Sequence, residues 1–266
     1  MFDTHCHFDD ERFDDDRESA WKRAEEAGVG AAVIPAISPD RWDRTLSCTR
    51  EGARFAALGV HPQCLPAIDD RAIRDGLDRI ASLRREHAWR VVAVGEVGFD
   101  HTIDLALASP ERQERVFAWH AEVARALELP LIVHVLRAHD AALRALSRVK
   151  LPSPAGVIHS YSGPAELVGA YEKLGFYLSF AGSVTRPKAR RPIAAARVVS
   201  PERLLIETDA PDQTPTGVAP SVTRCEPAHL ALVANALATA LGEDEPSLRA
   251  RTTRNARALF KVGTVL

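Results

Sequence analysis

The sequence predicts an α/β protein folded as a closed (β/α)8 barrel, and three observations carry that reading. Short apolar runs of strand type alternate with longer amphipathic stretches rich in Ala, Leu, Arg and Glu, the pattern of repeated β–α units around a parallel sheet. Eight such runs occur in 266 residues, a length that suits one barrel of this kind. The composition agrees, since 46% hydrophobic and 26% charged residues belong to a globular chain and exclude a disordered, collagen-like or coiled-coil one. An open doubly wound sheet has a similar local pattern, and the count of eight favours closure.

In chain order the strands are expected at Phe2–His7, Ala31–Ala36, Phe55–His61, Val91–Glu96, Leu131–Leu136, Gly156–Ser160, Phe176–Phe180 and Leu204–Asp209. Ser109-Pro110-Glu111 reads as a helix start, with Ser as cap and Pro in the first turn, and Gly28, Gly156 and Gly175 sit where helices should turn back into strands. No linker, repeat or low-complexity block divides the chain, so residues 1–266 are expected to form one barrel domain. Two segments break the rhythm: Ser183–Pro192, with Arg186, Lys188, Arg190 and Arg191, and the Pro/Thr-rich Thr214–Pro227. Both follow late strands and belong on the face where barrel enzymes carry their active-site loops.

With 34 Lys+Arg against 36 Asp+Glu the net charge is −2, so a polyanionic substrate has to be drawn by local positive charge rather than by the whole-molecule field. No apolar run approaches a membrane span, and no membrane partner is expected. Cys6, Cys48, Cys64 and Cys225 form no CxxC pair, which points away from a zinc knuckle or a secreted disulfide scaffold and toward a reducing cytosol. Functional histidines at positions 5 and 7 would be lost with a cleaved leader, so a cytoplasmic chain is expected, and a monomer.

Asp3, His5 and His7 stand at i, i+2 and i+4 of the first strand and should project from one side. Glu96, His134, His159 and Asp209 end or nearly end four further apolar strands. An ionisable group there is costly unless paired or coordinated. One such residue alone reads as a satisfied core histidine or a buried ion pair, but a barrel brings all these strand ends to one mouth, where a shared metal centre answers every case together. The candidate ligands are therefore His5, His7, Glu96, His134, His159 and Asp209, a nitrogen and oxygen set without thiolate that suits Zn²⁺ or Mn²⁺ better than Mg²⁺. Six ligands suit two divalent ions bridged by Glu96, which can activate a water and clamp the oxygens of a phosphodiester, with Asp209 as proton acceptor. Glu207 lies two residues before Asp209 and is a candidate support beneath it, as is Asp3 beside His5. His61 is a candidate phosphate contact or a capping histidine at a loop entrance. Arg137, Arg186, Lys188, Arg190, Arg191 and Arg224 are candidate sources of local positive charge, the run Lys188, Arg190 and Arg191 reading rather as a solvated loop. Phe99 and Tyr161 are candidate base-stacking residues or barrel-top packing.

The ordered motifs Asp3-Thr4-His5-Cys6-His7-Phe8-Asp9, Gly59-Val60-His61-Pro62, Gly95-Glu96-Val97-Gly98-Phe99-Asp100, Val133-His134, Val157-Ile158-His159-Ser160 and Glu207-Thr208-Asp209-Ala210-Pro211 run nearly end to end. In that order the chain resembles the TatD-type metal-dependent DNases of the amidohydrolase-like group. The resemblance implies a (β/α)8 hydrolase with two divalent metals and 3′–5′ exonuclease or related DNase activity, acting on DNA single strands or 3′ ends. It also implies that His5, His7, Glu96, His134, His159 and Asp209 are the metal ligands and that Glu226, in Arg224-Cys225-Glu226-Pro227, lies near the site. The chain departs from the family pattern at Leu136, where Arg is usual and Arg137 follows, at Cys225 in place of Asn, and at His101. The same centre could instead serve an amide, a lactone, another phosphoester or an aminoacyl-tRNA ester.

Overall fold

Eight parallel strands follow one another in chain order around the barrel in the computed structural model, which describes residues 1–219 and 221–263. They are β1 Phe2–Asp3, β2 Ala31–Pro35, β3 Arg54–Leu58, β4 Val91–Asp100, β5 Leu131–Leu136, β6 Gly156–Ile158, β7 Phe176–Phe180 and β8 Leu204–Ile206. The helices are α1 Arg17–Glu26, α2 Trp42–Ser47, α3 Asp70–Glu86, α4 Pro110–Ala126, α5 His139–Arg148, α6 Val168–Lys173, α7 Arg190–Ala196, α8 Leu230–Leu241 and α9 Glu245–Phe260. Of the Thr214–Pro227 stretch, Pro220 lies outside the described residues. Among the described residues no helix is long and apolar enough to cross a membrane.

Local chemistry sets the helix boundaries. Ser109 caps α4 by accepting from Arg112 N, with Pro110 in the first turn, and Asp69 and Asp244 cap α3 and α9 in the same way. At Gly156 a Cβ would fall 2.1 Å from Leu131 O, so this glycine permits the close approach of β6 to β5 rather than making the turn before it.

Closure between β1 and β8 comes from single bonds rather than a regular ladder. Thr4 N donates to Ile206 O at 3.3 Å and Asp209 N donates to His5 O at 2.9 Å. Between them the buried Asp3 carboxylate accepts from Thr208 N at 3.0 Å and Thr208 Oγ1 at 2.6 Å. Burial pushes Asp3 up to about 8 against the lowering effect of those bonds.

Several strands stop short of the expected ends, at Asp3 instead of His7, Leu58 instead of His61, Ile158 instead of Ser160 and Ile206 instead of Asp209. There the backbone leaves the ladder, and Ser160 and Asp209 take left-handed φ values of 42° and 55°. In contrast, β4 continues past Glu96 to Asp100. Gly98 lets it do so, because a Cβ at that position would lie 2.0 Å from His134 O of β5.

The barrel interior is apolar at its amino-terminal end, where Phe2, Phe55, Val92, Ile132, Val157 and Leu205 pack under Leu259 and Phe260 of α9. A larger apolar layer lies between strands and helices and includes Trp21, Trp42, Phe117, Leu146, Leu230 and Leu248. Burial in these two layers is the main stabilising term of the fold.

Candidate metal centre

At the carboxyl-terminal mouth the candidate ligands converge in two groups that share Glu96. On one side His5 Nε2 and His7 Nε2 lie 3.2 Å apart, at 3.2 and 3.5 Å from Glu96 Oε2 and at 3.5 and 3.7 Å from Asp209 Oδ1. On the other, His134 Nδ1 and His159 Nε2 are 3.0 Å from each other and 3.0 and 2.8 Å from Glu96 Oε1. Each oxygen of one carboxylate therefore faces its own pair of imidazoles.

In His7, His159 and His134 the far nitrogen indicates what the near one offers, whereas His5 Nδ1 is buried with no hydrogen-bond partner among the described residues. His7 Nδ1 faces Pro35 O at 3.2 Å, His159 Nδ1 faces Glu207 Oε1 at 3.3 Å, and His134 Nε2 faces Asp100 Oδ2 at 3.5 Å. A proton held toward an acceptor on the far side leaves the near nitrogen with a free lone pair, the tautomer a metal ligand needs. His61 is arranged the opposite way. Its Nδ1 accepts from Gln63 N at 3.1 Å, so the proton sits on Nε2, which faces Glu96 Oε1 at 3.1 Å. His61 thus offers an N–H beside the centre, whereas His7, His134 and His159 present bases.

This arrangement fits divalent cations. Lone pairs facing each other across about 3 Å repel unless a positive charge lies among them, and Glu96 Oε2 is buried with no hydrogen-bond partner among the described residues. The donors are imidazole nitrogens and carboxylate oxygens, the set that Zn²⁺ and Mn²⁺ accept. Burial would raise Glu96, but His61, His159 and His5 outweigh it and hold the carboxylate well below its ordinary range. Asp209 is lowered in the same way against its burial, by His5, His159 and His7. Both carboxylates are charged at neutral pH.

Supporting contacts surround the ligands. Glu207, fully buried, accepts from Ser160 N at 2.6 Å as well as facing His159. Asp3 accepts from His5 N at 3.3 Å, so its side chain acts on the backbone of the His5 and Thr208 segments. Two participants were not singled out from the sequence. Asp100 lies beneath His134 and also accepts from Thr102 and Gln63; His134, Thr102 and Gln63 together hold it below the usual carboxylate range despite burial. It is a carboxylate at the end of an apolar strand, the same signal that marked Glu96. Gln213 Nε2 donates at 2.6 Å to both Asp209 Oδ2 and Ser160 Oγ. A neutral amide in a loop carries no sequence signal of that kind.

Other expected site residues are engaged elsewhere. Phe99 is fully buried and packs on Phe117 at 5.2 Å between β4 and α4, so it cannot stack on a base. Tyr161 is also buried, donates to Pro164 O at 2.8 Å and contacts Tyr171 and Phe180, which corrects the stacking expectation for it as well. Arg224 is committed to Asp16 at 2.5 Å and Glu226 at 3.0 Å and covers the Phe13 ring. Glu226 is in turn held by Arg23. Both therefore fasten the loop after β8 to α1 instead of presenting free groups to substrate. Arg137 is exposed, with a left-handed φ of 53°. The cleft over the centre, about 190 Å³, is lined by His7, Asp9, Arg41, His61, Gln63 and Asp212 among others.

A family model described as TatD related DNase matches residues 2–261. The chain is 34% identical over 220 residues to the uncharacterized metal-dependent hydrolase YjjV of Escherichia coli K12, covering 82% of each chain. It is 32% identical over 264 residues to the uncharacterized metal-dependent hydrolase YabD of Bacillus subtilis, covering 98% of this chain and 99% of that one. To the protein named 3′-5′ ssDNA/RNA exonuclease TatD of Salmonella typhimurium it is 30% identical over 270 residues, with 98% and 99% covered. The crystal structure of Escherichia coli YjjV superposes with a TM-score of 0.89 at 31% identity, covering 99% of this chain and 98% of that one.

Proposed function

We propose that this chain, which belongs to the TatD-related DNase family and is a metal-dependent hydrolase, cleaves phosphodiester bonds of single-stranded DNA from the 3′ end. The observation that carries the reading is the pair of imidazole groups joined by the two oxygens of Glu96 in an open mouth. It supports two divalent ions. His5, His7, Glu96 and Asp209 would hold one, and Glu96, His134 and His159 the other. When bound, such ions supply Lewis acidity, lower the pKa of a water and offset phosphate charge.

The chain's own residues supply the remaining parts. Asp209 is the proton acceptor for the attacking water. Its Oδ2 already accepts from Gln213, and a carboxylate oxygen has a second lone pair free for that proton. Gln213 thereby sets the direction in which the second lone pair points. His61 holds a proton on Nε2, close to Glu96, and lines the cleft, so it can donate to a phosphate oxygen. Glu207 and Asp100 hold His159 and His134 in the tautomers that leave the inward nitrogens basic. Relatives carrying the printed name 3′-5′ ssDNA/RNA exonuclease support the substrate class and the direction of digestion.

The test is metal-free protein reloaded with Mn²⁺, Mg²⁺ or Zn²⁺ and given single-stranded DNA labelled at one end, beside a His134→Ala control. A metal-dependent ladder shortening from the 3′ end, absent in the control, is expected. Intact DNA with metal bound by elemental analysis overturns the phosphodiester reading and moves the search to amides, lactones or aminoacyl esters.

A further inference from the structure

Next to the metal centre, the loops that follow β4, β5 and β6 and the start of α7 enclose a separate cleft of about 440 Å³. Its walls include His101, Arg137, His139, Arg144 and Arg191, with Asp140 as the one carboxylate. In other parts of the chain many arginines, Arg12, Arg17, Arg23 and Arg112 among them, face carboxylates, while others such as Arg186 and Arg190 do not. Among the described residues the three guanidiniums of this cleft are in no ion pair. Three positive charges gathered in one concavity repel each other unless an anion joins them.

Two further features favour an anion. His139 Nδ1 and the Tyr171 phenol, pushed up by burial, lie 2.9 Å apart; with the phenol as donor the ring proton sits on Nε2. That Nε2, like His101 Nε2, is buried without a hydrogen-bond partner among the described residues. Burial and Arg191 together push His139 down to about 4, against the opposite effect of Asp140, so the ring is a neutral donor at pH 7. The first turn of α5 also borders the cleft, and its N-cap residue Ala138 supplies no side-chain cap. Its free N–H groups add to the positive potential set by the arginines.

The cleft adjoins the reaction site along two strands. His101 follows Asp100, which faces His134, and Arg137 lies three residues beyond His134, at most about 10 Å along the chain. One bound strand can touch both.

We propose that this cleft is a phosphate subsite that holds a non-scissile phosphate of the substrate on Arg137, Arg144 and Arg191, and so favours chains over single phosphodiesters. The proposal rests on the phosphodiester reading above. It assigns a role to Arg191 alone among the four basic residues of the Ser183–Pro192 segment. Arg186 and Arg190 line a different groove, against α8.

The experiment measures binding, by fluorescence anisotropy, of a labelled oligothymidylate to the Mn²⁺-loaded Asp209→Asn protein at several salt concentrations. It is repeated with Arg144→Gln/Arg191→Gln added, and separately with Arg186→Gln/Arg190→Gln, which removes equal charge outside the cleft. The cleft pair is expected to weaken binding at least tenfold and to reduce the salt slope by about 1.4, about 0.7 for each lost phosphate contact on a single strand. The outside pair should change Kd less than twofold. Equal losses from both pairs, or none from the cleft pair, overturn the subsite alone. If the parent protein itself does not bind the oligonucleotide, the subsite and the phosphodiester reading fall together.

Discussion

The two ends of the barrel interior are built on the same strands and differ in every property that matters. At the amino-terminal end Phe2, Val92, Ile132, Val157 and Leu205 pack in an apolar plug closed by Phe260. Two to four residues further along the chain, on or just past the same strands, stand His5, Glu96, His134, His159 and Asp209. The backbone differs as well. Left-handed, non-glycine residues at the mouth are Arg137, Ser160, Asp209 and Gln213, whereas at the closed end Lys261 is the C-cap of α9 and Glu128 follows the C-cap of α4. A cap is a common use of that conformation, but at the mouth it turns side chains away from the ladder. The barrel thus separates stability from chemistry along its axis, and size of concavity does not locate the chemistry. A cleft of about 480 Å³, larger than the one above the metal centre, borders the apolar end beside Phe55, Trp89 and Phe260.

If this division is right, changes at the two ends should fail in different ways. The largest effect belongs to the mouth: Asp209→Asn should lower kcat by about a thousandfold or more, about 4 kcal/mol of barrel-mouth catalysis, with the melting temperature nearly kept. Chelation should likewise abolish turnover while leaving the far-ultraviolet circular dichroism intact, since the apolar layers do not depend on a cation. Loss of that spectrum in EDTA would show that the two ends are not independent.

The next effect belongs to the plug. Ile132→Ala removes a fully buried side chain two residues from His134 and should cost about 2–5 kcal/mol in urea unfolding. Turnover of the folded fraction should stay within about threefold of the parent, because β5 remains paired on both sides. A thousandfold loss of turnover in that variant would break the comparison.

A smaller effect sharpens it, at a group outside both ends. His120 on α4 is fully buried, accepts from Val60 N at 3.0 Å, and is pushed down by burial from 6.5 to about 4. Between those values the unfolded chain binds a proton that the folded one refuses. Stability therefore falls as pH drops from about 6.5 to about 4, by up to about 3 kcal/mol. Thermal unfolding followed from pH 7 to 4.5 should show a shallower decline in His120→Gln than in the parent. Equal slopes would remove His120 as the cause.

The sequence made much of this architecture legible, for reasons that can be stated residue by residue. Strand-type runs and helix starts such as Ser109-Pro110 depend on local periodicity and capping, so their positions were readable. Histidines or carboxylates at the ends of apolar runs stood out because burying them unpaired is costly, and the eight-unit count supplied one mouth for them to share. Where the strands end was less legible. Alternation assumes a continuing ladder, and β1 and β8 leave theirs before His5 and Asp209.

By itself, then, the sequence determined the barrel, its order and the chemical types available at its mouth, because these follow from hydrophobic period and the cost of buried charge. Only the tertiary structure decided which groups remain free to act. Phe99 and Tyr161 went to the core, and Arg224 and Glu226 to an ion-pair network with Asp16 and Arg23. Gln213 reached Asp209, and Arg137, Arg144 and Arg191 met in one cleft. Each outcome depends on partners distant in sequence, since the availability of a side chain is set by what packs against it and which hydrogen bonds it has already made.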